Sequence, residues 1–143
     1  MLIRPYRASD QAHVIQLWKN CGLVVPHNNP EQDIARKLAH SPDWFIVGEK
    51  AGKLVATCMA GYDGHRGWIN YLAVAPEERR QGYARAMMDH AEALLKAAGC
   101  PKINLQVRAR NESVISFYER IGFAGDATVS LGKRLETDRP HGL

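Results

Sequence analysis

The chain has 143 residues, 45% of them hydrophobic and 24% charged, with a formal net charge of +4. That length holds one domain, residues 1–143, with a sizeable core, and the composition excludes disordered, fibrous and disulfide-scaffold classes. No apolar run approaches bilayer length, no leader-like segment precedes the polar start MLIRPYR, and Cys21, Cys58 and Cys100 share no metal-binding spacing, so the expectation is a reduced cytoplasmic protein with no membrane contact and no metal.

LIRPY (2–6) predicts a first strand, with Pro5 near its end. Ser9 is the expected cap of a helix carrying Val14, Leu17, Trp18 and Cys21 on one face and stopping at Gly22. GLVVPHNN reads as a loop, and Asn29-Pro30 opens a short helix with Ile34 and Leu38 four apart. DWFIVGEK and KLVATCMAGYD are strands joined at Ala51-Gly52; DGHRG turns the chain; GWINYLAVA (67–75) completes a meander. From about residue 82, Ala84, Met87, Met88, Ala91, Leu94, Leu95 and Ala98 form a helical stripe that Gly99 closes. KINLQVR (102–108) alternates as a strand, and Asn111 caps a helix with Val114, Ile115, Tyr118 and Ile121, ended by Gly122. FAGDATVSLGKRL (123–135) predicts one or two closing strands, and the tail TDRPHGL is expected to be mobile. The order β-α-α-β-β-β-α-β-α-β is that of an α/β (α+β) domain, a mixed and mostly antiparallel sheet flanked by helices.

One stretch breaks two local rules together. In PEERRQGYARA (76–86), Gly82 weakens a helix start, and Arg79 and Arg80 place positive charge at the positive end of the helix dipole. Both features make sense around an anion. Amides at a helix N-terminus are unpaired, glycine allows close approach, Ala84 is nearly as small, and the arginines add charge. Arg79-x-x-Gly82-x-Ala84 therefore reads as a cradle for a pyrophosphate. The plain alternative is a loop-to-helix joint with solvated arginines. Neither a P-loop nor a dinucleotide-binding glycine motif is present.

With LAVAPEERRQGYA (72–84) and NESVISFYERIGF (111–123) in order, the chain resembles the GNAT superfamily of acetyl-CoA-dependent N-acetyltransferases. The first segment is similar to the family's strand, Q/R-x-x-G-x-G/A loop and helix. The second is similar to its Asn…Ala…Tyr…Gly-Phe segment, with Val114 at the usual alanine. GYDGHRG and SLGKRL are also similar to a YpeA-type bacterial subgroup. The resemblance implies the GNAT fold, in which strands 68–75 and 102–108 start parallel and splay beside a bulge. It implies that the pantetheine of acetyl-CoA fills the gap and bonds to the main chain near Leu72 and Val74. The pyrophosphate donors map to the amides of Arg80, Gln81, Gly82 and Ala84, and the acetyl carbonyl to the amide of Leu72. Asn111 is implied to meet the pantetheine arm.

Acetyl transfer needs a neutral amine, a polarised carbonyl and a proton for the departing thiolate. Asn111, Val114 and Tyr118 share a helix face, and a phenol of pKa near 10 keeps a proton to give at neutral pH. A core tyrosine is the alternative. For the base, no residue is nominated. Trp68 and Asn70 stand where some relatives carry a carboxylate, and Gln106-Val107-Arg108 stands where others carry Glu-Val-Arg. Asp63, His65 and His27 are loop residues, and a water held by Asn70 or Gln106 is equally open. Asp63-Gly64-His65 lacks a third ligand for a metal, and Cys58 is better read as packing than as a nucleophile.

The leading expectation is an N-acetyltransferase acting by direct attack in a ternary complex, on a small-molecule amine or a peptide N-terminus. The second is a non-catalytic acyl-CoA-binding or sensing module. The third, a nucleic-acid-binding domain, lacks a basic stripe: apart from Arg79/Arg80 and Arg108/Arg110 the arginines are dispersed. The expected partners are acetyl-CoA or CoA and an unidentified amine, with a homodimer as the commonest closed assembly.

Overall fold

The computed structural model describes residues 1–142. Its sheet has five strands in sequence order: β1 (Leu2–Pro5), β2 (Phe45–Lys50), β3 (Lys53–Tyr62), β4 (Gly67–Val74) and β5 (Ile103–Asn104). The first three pairings are antiparallel and β4–β5 is parallel. Four α-helices complete it: α1 (Gln11–Asn20), α2 (Pro30–Leu38), α3 (Tyr83–Ala97) and α4 (Glu112–Arg120).

Both faces of the sheet are covered, which is why β2 and β3 read as nearly continuous apolar runs. Along β3, Val55 and Met59 bury among Val14, Leu17 and Trp18 of α1 and Ile34 of α2. The intervening Ala56, Cys58 and Ala60 bury among Met87, Met88, Ala91 and Leu95 of α3 and Tyr118 of α4. Each fully buried Val, Leu, Ile or Met side chain among these contributes roughly 1.5–3 kcal/mol. Gly67 opens β4 in a tight place: a Cβ there would stand 2.8 Å from the Cys100 sulfur and 3.2 Å from Leu95, so those side chains would have to shift.

The local signals act largely as expected. Ala51 and Gly52 both take positive φ in the β2–β3 turn. Asn29 caps α2, its side chain accepting from Gln32 N at 3.2 Å. Asp63 ties the β3–β4 turn by accepting from His65 N and Arg66 N at 2.8 and 2.7 Å.

Five expectations are corrected. Ser9 does not cap α1: it lies inside a 3-10 turn, Ala8–Asp10, whose Asp10 carboxylate accepts from Arg7 N and is gripped by Arg4 through two 2.8 Å bonds. The strand over 102–108 contracts to Ile103–Asn104, because β4 has no ladder with it beyond Trp68. Asn111 precedes α4 but its side chain makes no capping bond; it accepts instead from the Ser113 hydroxyl. No strand forms in 123–135, so the observed order ends at α4. Val129, Leu131 and Leu135, the apolar positions of that pattern, are 84–92% exposed and find no sheet to pair with.

The tail, expected to be mobile, is fastened as far as His141; Leu143 lies outside the described residues. The Asp138 carboxylate is buried and accepts from Asn29 N at 2.8 Å and Arg36 at 2.7 Å. Arg139 N donates to Gln32, and the His141 ring meets Val25 O at 2.9 Å. The Arg36 bond first, then the Asn29 amide, holds Asp138 down at about 2 from an ordinary 3.8. A depressed carboxylate stabilises the docked tail fully above about pH 4, and that stabilisation is lost as pH falls through about 2. The protection factors of the Asn29 and Arg139 amides are therefore expected to fall between pH 4 and 2, ahead of the core. In Asp138→Asn they are expected to be low already at neutral pH.

Candidate functional site

The sheet is opened at one place. Thr57 of β3 faces Ala73 and Met59 faces Asn70, so Cys58 stands opposite two residues, Tyr71 and Leu72. This bulge bends β4 away from β5, whose ladder holds only the pairs Gly67–Ile103 and Trp68–Asn104. Past that point the β5-facing edge of β4, including Leu72 and Val74, has no strand beside it.

Tyr71 sits in the bulge at φ 51°, which a non-glycine residue adopts only under constraint. The constraint comes from α1 and α2. Its ring stacks on Trp18 with centroids 3.8 Å apart, and its hydroxyl donates to Asp33 at 2.6 Å. Its carbonyl accepts from the Thr57 hydroxyl at 2.9 Å, and that hydroxyl accepts from Trp18 Nε1 at 2.9 Å.

Beyond β4, a 3-10 turn (Pro76–Glu78) leads to Arg79–Gly82 and α3. Arg80 takes φ 64° and Gly82 φ 80°. Nothing lies within 4 Å of where a Gly82 Cβ would stand. The first amide here to find a protein acceptor is Ala86, bonded to Gly82 O at 3.0 Å. Among the described residues, the amides from Arg80 to Arg85 have none, so a row of N–H groups faces an open rim at a positive dipole end. This donor set fits a pyrophosphate such as that of acetyl-CoA. Arg79 is drawn back toward β4, its Nε donating to Val74 O at 3.3 Å, while the Arg80 side chain is exposed. Beside the rim, Glu78 is neutralised by Lys50 at 2.8 Å, and Gln81 bonds both. Sequence reading missed this ion pair because it joins distant segments.

Behind the opened strand, Tyr118 projects from α4 into the same apolar cluster that Leu72, Ala84 and Val114 border. Its ring meets Phe117 and Phe123 edge-on at 5.2 and 5.5 Å. Burial, and secondarily the nearby Cys58, push its phenol up to about 12. Leu72, Val74, Ala84, Val114 and Tyr118 are thus brought together under the gap. Arg79, Arg80, Gln81 and Gly82 form its rim. Asn111 is exposed at the start of α4.

Of the remaining candidates, Asp63 is spent on its turn and on Trp68 Nε1 at 3.2 Å. His27 and His65 are exposed. Cys58 is fully buried and its thiol is pushed up to about 12, chiefly by desolvation, which makes it a poor nucleophile. Asn104 and Lys102 both bond Asp126 at 2.8 Å, and Gln106 bonds Ser130, so 126–130 is tied beside β5 by side chains. Among the described residues, no group of three or more His, Cys, Asp or Glu could hold a metal ion, and no helix is long and apolar enough to cross a membrane.

Residues 11–123 match the acetyltransferase (GNAT) family. An acetyltransferase of Sodalis glossinidius is 49% identical over 142 residues, covering 99% of this chain and all of that one. An acetyltransferase of Yersinia enterocolitica is 46% identical over 141 residues, with the same coverage. Among solved structures, Ard1 from Thermoplasma volcanium superposes with a TM-score of 0.77 at 25% identity, over 86% of this chain and 82% of that one.

Proposed function

The chain belongs to the acetyltransferase (GNAT) family and is an acetyl-CoA-dependent N-acetyltransferase, and we propose that it acts by direct attack of a bound amine of low basicity, such as a peptide N-terminus or a small-molecule α-amine. The observation that carries this reading is the bulge at Tyr71-Leu72, with an unpaired strand edge on one side and a row of unpaired amides at 80–85 beyond it.

Acetyl-CoA supplies an activated thioester and a diphosphate. The amides of Arg80, Gln81, Gly82 and Ala84 would hold the diphosphate, with Arg80 beside them and Arg79 steadying the turn. Leu72 and Val74 would offer main-chain groups to the pantetheine, and Asn111 its side chain from the other wall. The Leu72 N–H would polarise the acetyl carbonyl as a preorganised dipole. Tyr118 would give its hydroxyl proton to the departing sulfur. No covalent enzyme intermediate is needed, which agrees with the burial of Cys58.

The acceptor class follows from what the site lacks. Trp68 and Asn70 of β4 and Gln106 beyond β5 offer no carboxylate to take a proton from the incoming amine. Neutralising a lysine ammonium at pH 7 costs about 4.6 kcal/mol, against about 1.4 for an α-amine. A site with only a water or an amide as base is therefore suited to the α-amine. At pH 7, free N-termini are expected to release CoA thiol at least tenfold faster than N-acetylated peptides carrying lysine. Faster transfer to lysine would overturn the assignment.

The missing carboxylate also keeps a second reading in view, an acyl-CoA sensor on this fold. It predicts tight acetyl-CoA binding by calorimetry with no thiol release across a broad amine panel. Absence of binding heat would remove both readings.

A further inference from the structure

An ammonium group that has no counter-charge among the described residues lies against the sheet close to the bulge. Lys37, in the last turn of α2, is half-buried, and its Nζ donates to the carbonyl of Ala60 on β3. It reaches over Gly61, where a Cβ would stand in ordinary contact with it at 3.9 Å. Among the described residues, no carboxylate lies within ion-pair distance of it. Asp33, one turn earlier, is engaged by the Tyr71 hydroxyl at 2.6 Å and Arg36 at 3.3 Å. A half-buried charge without a partner is disfavoured, and burial lowers the Lys37 pKa accordingly.

The position of this charge relates it to the acceptor. Ala60 and Gly61 pair with Ile69 and Trp68 of β4. Ile69 buries toward α3, so Trp68 and Asn70 face the α1–α2 side, as Met59 does. Trp68 is 37% exposed there and Asn70 is exposed. From Ile69 to Leu72 is three residues, less than roughly 10 Å because the left-handed Tyr71 shortens the rise, and Ala60 lies one strand spacing of ~4.8 Å to the side of Ile69. An amine held at Leu72 and an anion held at Lys37 would thus lie on the order of 10 Å apart. An amino acid's own carboxylate is too close to its amine to span that. In an extended peptide, an acidic side chain on the third residue reaches it, two residue rises plus the side-chain length.

We propose that Lys37 is a specificity residue of the acceptor site and that the preferred acceptor is a peptide N-terminus with an acidic side chain at its third position. This rests on the N-acetyltransferase reading and adds the substrate class. The same charge disfavours polycationic acceptors such as polyamines and aminoglycosides.

The test uses the full chain, acetyl-CoA and three peptides differing only at position three: Ala-Ala-Glu, Ala-Ala-Gln and Ala-Ala-Lys, each extended by the same neutral tail. Wild type is expected to favour Glu over Gln at least tenfold in kcat/KM, with Lys poorest, and the preference should shrink in high salt. Lys37→Met is expected to bring the Glu-to-Gln ratio of kcat/KM to about one, and Lys37→Arg to retain the preference. Equal kcat/KM for Glu and Gln in wild type, or a preference that survives Lys37→Met, overturns the proposal. If no peptide is acetylated, the amine assignment fails separately. Calorimetric binding of the same Glu and Gln peptides to the CoA-loaded protein then decides for Lys37: tighter Glu binding, lost in Lys37→Met, supports it, and equal binding rejects it.

Discussion

Tyr118→Phe is expected to lower kcat about 10²–10⁴-fold while changing acetyl-CoA affinity less than about threefold, the range for loss of a positioned general acid. Steady-state thiol release and calorimetry of acetyl-CoA binding check the two halves. The split is diagnostic. The ring is already packed edge-on between Phe117 and Phe123, and phenylalanine preserves that packing. Only the hydroxyl is lost. Loss of kcat and binding together would mean that Tyr118 shapes the pocket, and an unchanged kcat would remove it from the mechanism.

The chemistry asked of Tyr118 is constrained by its burial. A phenol pushed up to about 12 stays protonated throughout any ordinary assay range. It is also a reluctant acid: full transfer to a thiolate of pKa near 8.5 is uphill by about 5 kcal/mol. The phenol therefore works first as a hydrogen-bond donor to the departing sulfur. The proton surrendered by the amine replaces what it gives. The rate should rise with pH toward the amine's own pKa and show no Tyr118 limb below about pH 10.

Why some of this was legible in the sequence and some was not has a physical basis. The start of α3 is local: Gly82, at positive φ, immediately precedes the apolar stripe of that helix, so spacing alone exposes the joint. The alternation of KINLQVR is real in burial, since Ile103, Leu105 and Val107 all pack on the α3–α4 cluster. Its hydrogen bonding fails because β4 leaves at the bulge, and periodicity records which face is apolar, not whether a neighbour is present. VSLGKRL has the same pattern but pairs with no strand, and its contacts, such as Gln106 with Ser130, are made by side chains. Tyr71's positive φ is imposed by tertiary contacts and has no signature in its residue type. Lys37 meets Ala60 across 23 positions, and Asp138 meets Asn29 across 109. Long-range pairs of this kind are invisible to a reading made window by window.

The bulge is braced by Trp18, whose truncation is the second large effect expected. Trp18→Ala should cost about 3–5 kcal/mol by urea denaturation, as for other buried aromatic-to-alanine changes. Trp18 is fully buried, stacks on both Phe45 and Tyr71, and donates to Thr57. Thr57→Val isolates the polar part: it strands the indole N–H without a partner, worth about 1–3 kcal/mol. Tyr71→Gly separates conformation from contact. Glycine relieves the left-handed backbone, about 1–2 kcal/mol in its favour. It also forfeits the Trp18 stack, the Asp33 hydrogen bond and the buried ring, which together outweigh that relief. A net loss of stability is thus expected for Tyr71→Gly. If the variant were instead as stable as wild type, the backbone ladder alone would hold the bulge, and the brace from α1 through Trp18 and Thr57 would not be what keeps β4 open beside the unpaired amides of Arg80–Arg85.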